Sequence, residues 1–182
     1  MQPNANPSRI VLALLVVATL LSVFVGVPAL MRRAHTQEAI LNLSKLVRVS
    51  DVYFVKPKPG AGGERLLCQF PTGEIRTTLA KSCCDPTVND GEGRCDPKKI
   101  EWNRSLWKTL RFELDEPHWF IYEVKATGTL ADARLEVSAY GDADCDGEYS
   151  TFRFTHRGDP EAKPTDCLLR TEPQFEAFHP DE

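Results

Sequence analysis

The sequence predicts an α+β protein: a long N-terminal membrane-spanning helix with an antiparallel β-sheet domain packed on its second half. Three observations carry that prediction. Ile10 to Met31 is an unbroken apolar run with no charged side chain, and roughly 20 such residues at 1.5 Å rise cross a ~30 Å hydrocarbon core. The chain then passes without a breaker into a polar continuation. There Ile40, Leu43, Leu46, Val47, Ser50 and Phe54 recur at spacings of three and four, which draws one apolar stripe along a helix. Beyond Phe54, short alternating apolar runs are divided by Gly- and Pro-bearing turns, the pattern of a half-buried antiparallel sheet.

Taken in order, residues 1–9 read as a flexible leader, 10–31 as the transmembrane half of the helix, and 32–55 as its amphipathic half. Residues 56–182 read as an extracytoplasmic, disulfide-rich β domain. Pro28 falls inside the apolar run, where a kink is tolerated because neighbouring groups re-satisfy the freed backbone. VKPKPGAGGER, from Val55 to Arg65, cannot continue a helix and reads as a linker. RLLCQFP (65–71) reads as a short strand and CCDPTVNDGEGRC (83–95) as a disulfide-held loop. A short helix is expected through SLWKTLRF, capped by Asn103 or Ser105. HWFIYEVKAT, ARLEVSAYG and EYSTFRFTHR read as an antiparallel meander. Leu135, Val137 and Ala139 oppose Arg134, Glu136 and Ser138 on its middle strand. CLLRT (167–171) is a further strand candidate.

The six cysteines, Cys68, Cys83, Cys84, Cys95, Cys145 and Cys167, all lie in this second part. An even count in a small, loop-rich domain predicts disulfides and an oxidising compartment, with 15 pairings left open. Their spacing does not repeat a zinc knuckle. Vicinal Cys83 and Cys84 lack the C-x-x-C spacing of thiol redox sites and are expected to bridge two separate partners. Arg32 and Arg33 count toward a cytoplasmic C-terminus. The cysteines count against it and are given the greater weight, so the domain is expected outside the cytoplasm on a single-pass membrane anchor. A formal net charge of −4 with scattered basic residues gives no support to nucleic-acid binding.

One motif has metal-ligand spacing. Asp142, Asp144 and Asp146 occupy positions 1, 3 and 5 of an EF-hand-like loop, followed by Gly147, Glu148 at position 7 and Ser150 at position 9. Arg153 stands at position 12, where a bidentate Glu belongs. The loop is thus a calcium candidate with an incomplete oxygen set, set against the plain reading of a polar hairpin turn. His35, His118, His156 and His179 are dispersed, and no nucleophile sits in a catalytic setting, so no enzyme activity is expected.

The segment VPALMRRAHTQEAILNLSKLVRVSDVYF resembles a bacterial type IV pilin or pseudopilin. An apolar helix reaches Pro28, then Arg32 and Arg33, then Glu38, Ala39, Asn42, Leu43 and Leu46, and ends on Tyr53 and Phe54. The block Trp107 to Phe112, then EPHWFIYEV, then SAYGDADCDGEYSTF, is similar to a pilin subgroup with an acidic turn before its last strands. Alignment on Pro28 puts the leader cut between Asn6 and Pro7, without the usual Gly, and puts Val11 where the helix Glu belongs. The resemblance implies a pilin-like fold and a non-enzymatic structural subunit. That subunit would be a minor pilin or pseudopilin of a type IV pilus or type II secretion system, partnering other subunits and the membrane through its N-terminal helix. It further implies a single-pass inner-membrane anchor with the C-terminal domain in the periplasm, or a place in the pilus (fimbrium) or at the cell surface. The alternative is a membrane-tethered periplasmic binding domain, derived from a pilin, that does not assemble.

Overall fold

The computed structural model describes residues 7–56, 58–59, 62–63, 67–163 and 165–180. The side chains of 7, 9, 10, 13, 20, 23–25, 28 and 29 also fall outside that description. The leader up to Asn6, the effect of Pro28 and residues 57, 60, 61, 64 and 65 of the expected linker therefore lie outside the described residues. The chain forms two compact units, Met1–His35 and Thr36–Glu182.

Helix α1 runs Pro7–Val55 and belongs to both units. Among the described residues no helix is long and apolar enough to cross a membrane, which overturns the membrane-spanning part of the expected fold. The continuously described stretch, 30–55, carries Arg32, Arg33, Glu38, Lys45, Arg48 and Asp51, and each such charge is costly in hydrocarbon. Its period serves a different purpose. Ala39, Leu43, Leu46, Val47, Ser50 and Phe54 are buried, one stripe laid against the sheet of the second unit. Ala39 takes the place expected of Ile40, which is only half-buried. The helix stops after Val55, where the Lys58 ammonium donates to the carbonyls of Tyr53 and Lys56 and lies 3.6 Å from the centre of the Tyr53 ring. A cation on the last free carbonyls is a favourable C-terminal cap.

The sheet has five antiparallel strands in sequential order, β1 (Gly73–Arg76), β2 (Phe120–Thr127), β3 (Arg134–Gly141), β4 (Ser150–Arg157) and β5 (Gln174–Phe178). The expected meander is β2 to β4, in register from Phe120↔Gly141 to Thr127↔Arg134 and from Arg134↔Arg157 to Gly141↔Ser150. Two strand expectations are displaced. The described part of RLLCQFP, 67–71, is not a strand; pairing starts at Gly73 instead, opposite Ala126. CLLRT makes one isolated bridge, Leu169 to Gly158, and the fifth strand forms at Gln174–Phe178.

Strand β2 is buried on both faces. Phe120, Tyr122, Val124 and Ala126 join Leu43, Leu46, Leu135, Val137, Ala139 and Phe152 in the core under α1. Ile121 points the other way, into a second cluster with Cys83, Val88, Cys95 and Ile100. Helix α2 (Ser105–Leu110) forms where a short helix was expected, burying Trp107 and Leu110. Its N-cap is Arg104, which makes no side-chain cap bond, rather than Asn103 or Ser105. At its other end Arg111 takes the left-handed conformation, φ 50°, usual for a C-terminal glycine.

Three disulfides hold these layers: Cys68–Cys167, Cys83–Cys95 and Cys84–Cys145. The vicinal cysteines do bridge two separate partners.

Candidate metal centre

The turn between β3 and β4 gathers Asp142, Asp144 and Asp146, with one carboxylate oxygen of each within 4.8 Å of the others. Among the described residues this is the one group of three or more His, Cys, Asp or Glu side chains so arranged. Strand pairing closes at Gly141↔Ser150, so the acidic loop begins where the ladder ends. Two positions shape it. Cys145 has φ 62° and Gly147 φ 94°, left-handed backbone that turns the chain sharply within the loop. The Cys145–Cys84 bridge ties the loop tip to the 83–95 loop, and Cys84 Sγ lies 3.1 Å from the Asp142 carbonyl oxygen.

The three carboxylates differ in setting. Asp144 and Asp146 are exposed, and Asp146 Oδ1 accepts the Glu148 N–H at 2.8 Å in a local Asx turn. Asp142 is 4% exposed, and its Oδ1 is buried with no hydrogen-bond partner. An unpaired buried carboxylate oxygen is expensive. A hard cation bound by oxygen donors would satisfy it and neutralise the repulsion among its neighbours, with water filling positions on the exposed side. The residues thus fit a calcium-type ion at the first three expected positions.

The other expected ligands are set differently. Glu148, whose main-chain carbonyl is the donor expected at position 7, is exposed. Ser150 is buried in the ladder, with its hydroxyl 3.4 Å from the Gly141 carbonyl. Arg153, at the twelfth position, is occupied with Ser138 Oγ at 3.2 Å and Glu136 at 3.4 Å.

Two polar nodes escaped the sequence reading. Glu38 Oε1 accepts the Trp119 N–H at 3.0 Å and lies 3.4 Å from the Tyr122 hydroxyl, to which Asn42 Nδ2 donates at 2.8 Å. Burial raises the Glu38 pKa against these stabilising bonds, and burial with the nearby Glu38 charge raises that of Tyr122. The signal was available, since Glu38 and Asn42 are among the residues that carry the pilin resemblance. The second node joins His156 Nδ1 to Asp51 Oδ1 at 2.9 Å and His156 Nε2 to the Arg170 carbonyl at 2.8 Å. Its partners are 105 and 14 positions away, beyond any local pattern. Both nodes are structural: they stitch α1 to the sheet.

His118 is buried, with Nδ1 3.2 Å from the Glu116 carbonyl, and burial lowers its pKa. His179 is exposed. Neither these nor the other histidines belong to a group with metal-ligand spacing among the described residues.

Scanned against protein families, and searched against curated proteins and solved structures, the chain returned no match.

Proposed function

We propose that the chain is a non-enzymatic structural subunit, a minor pilin or pseudopilin that joins an assembly through the first part of α1. The observation that carries this reading is the apolar surface there. Val11, Leu12, Leu14, Leu15, Val16 and Val17 are each about half exposed or more. At 100° per residue, positions 11, 12, 14, 15, 16 and 17 leave no polar face. A helix apolar all round is stable when covered by other apolar surface, and subunits of like helices provide it by bundling.

The rest of the molecule suits a passive role. The three disulfides suit an extracytoplasmic setting. The Asp142 cluster suits a structural calcium that stiffens the β3–β4 turn on the outward-facing domain. Asp142, Asp144 and Asp146 would hold it through hard oxygen coordination, with no proton to transfer.

An intact mass, before and after reduction, on protein isolated from its native cell envelope tests the reading. Removal of the first six residues and addition of one methyl group to the new N-terminus is the expected result, because a filament subunit is matured before assembly. Gain of two hydrogens for each of the three bridges should accompany reduction. An unprocessed, unmethylated chain would overturn maturation as a filament subunit.

A further inference from the structure

Three successive residues at the tip of the β3–β4 turn carry two chemistries. Asp144 and Asp146 flank Cys145, and Cys145 is bridged to Cys84. Of the six cysteines Cys145 alone is exposed; Cys84 and Cys167 are half-buried, and Cys68, Cys83 and Cys95 are buried. Thiol–disulfide exchange needs access to a sulfur, so Cys84–Cys145 is the bridge that a reductant in solution meets first.

The other end of this tether is fixed. Cys84 follows Cys83, whose own bridge to Cys95 closes a separation of 12 residues. Inside that loop Asn89 Nδ2 donates to the Cys83 carbonyl at 2.9 Å, and the Asp96 N–H donates to the Val88 carbonyl at 2.7 Å. Cys145 Sγ lies against Gly93 of the same loop, where an added Cβ would stand 3.5 Å from it. Cys84 Sγ reaches into the acidic turn, 3.1 Å from the Asp142 carbonyl oxygen. Cys145 itself is left-handed, φ 62°, a conformation that costs a residue bearing a Cβ and persists only where its surroundings hold it. The bridge supplies that hold. It thereby keeps the carboxylates on either side of Cys145 within 4.8 Å of the buried Asp142 oxygen, against their mutual repulsion.

We propose that the Cys84–Cys145 bridge and a calcium ion in the Asp142 turn stabilise each other: opening the bridge weakens calcium binding, and bound calcium resists the opening. This inference rests on the calcium reading of the turn given above and adds its regulation. The bridge opens by exchange with a dithiol. One thiolate attacks Cys145 Sγ, and Cys84 leaves as a thiolate and takes up a proton. The second thiolate of the dithiol then displaces Cys145, so that two electrons and two protons pass to the bridge and the dithiol becomes a disulfide. Freed from Cys84, Cys145 leaves the left-handed conformation, Asp144 and Asp146 move away from Asp142, and the oxygen set disperses. By linkage, the factor by which reduction weakens calcium is the factor by which calcium protects the bridge. The cation site is therefore completed only after oxidation, which confines it to an oxidising compartment.

The test equilibrates the full chain with mixtures of reduced and oxidised dithiothreitol, with saturating calcium or with a chelator. Differential alkylation and mass spectrometry then read each bridge. Calcium should lower the equilibrium constant for reduction of Cys84–Cys145 at least tenfold and leave Cys68–Cys167 and Cys83–Cys95 unchanged. Reciprocally, Cys84→Ala with Cys145→Ala should bind calcium at least tenfold more weakly in titration calorimetry, with its other two bridges intact. The redox arm uses the native chain and stands whether or not that variant folds. A chain that binds calcium while its Cys84–Cys145 equilibrium ignores the ion, or shifts no more than the other two bridges, overturns the linkage and leaves the calcium reading standing. Undiminished calcium affinity in the paired variant does the same. An oxidised native chain that binds no calcium, or a redox shift retained in Asp142→Ala, overturns both.

Discussion

Both ring nitrogens of His156 face acceptors, the Asp51 carboxylate on one side and the Arg170 carbonyl on the other. Only the doubly protonated ring donates to both. Burial opposes that charge, but the Asp51 hydrogen bond, the Arg170 carbonyl and the Asp51 charge together raise the pKa above 6.5. A group whose folded pKa is raised stabilises the fold fully below its unfolded pKa and loses that contribution as pH climbs through the folded value. Thermal melts of the oxidised protein should therefore show the melting temperature falling as pH rises from about 6 toward 8. In His156→Gln that component should be missing, and an unchanged slope would remove His156 from the account. At Asp142 the lone buried carboxylate oxygen makes a second prediction. Calcium at about a hundredfold its dissociation constant should add roughly 2–3 kcal/mol to stability, read as a rise in melting temperature reversed by a chelator. Asp142→Ala should not respond, and an equal response in the variant would relocate the ion.

At the scale of elements, the helix stripe and the disulfide framework set the stability. Leu46 is wholly buried between α1 and the sheet, so Leu46→Ala should cost about 2–5 kcal/mol in a denaturant titration. The Cys84–Cys145 bridge closes a separation of 61 residues, and its removal by paired Ala substitutions should cost roughly 4 kcal/mol. Glycine matters at the turn after β4, where a Cβ on Gly158 would stand 1.8 Å from the Leu130 carbonyl oxygen.

These elements also show what a sequence makes legible. The long helix, α2 and the β2–β4 meander were readable because local period and turn chemistry dictate them. Strand β1 was not, since GEIR is four residues long and owes its state to pairing with β2. RLLCQFP and CLLRT have strand composition, yet each contains a cysteine of the Cys68–Cys167 bridge, which fixes those segments beside the sheet rather than in it. Membrane spanning was read from the run Ile10–Met31, and no described helix meets that requirement. The acidic loop was legible as spacing. That Asp142 alone of the three aspartates would be buried, and that the Ser150 hydroxyl would turn to the Gly141 carbonyl, depends on the β3–β4 register and the Cys84 bridge.

At the scale of the whole molecule, a disulfide-bonded sheet unit follows a helical stretch in which Val11, Leu12, Leu14, Leu15, Val16 and Val17 are about half exposed or more. The proposed subunit role requires that other subunits cover that surface. The most direct measurement is the amount of the chain in sheared, sedimented surface filaments, compared between the native sequence and Leu14→Asp. Leu14 is 64% exposed and lies outside the unit that holds the sheet, so the substitution leaves the domain core untouched. A charge buried between apolar helices costs several kcal/mol. The account predicts the native chain in the filament fraction and Leu14→Asp folded, oxidised and depleted from it at least tenfold. Equal recovery of the two, or absence of the native chain from the filaments, would contradict it.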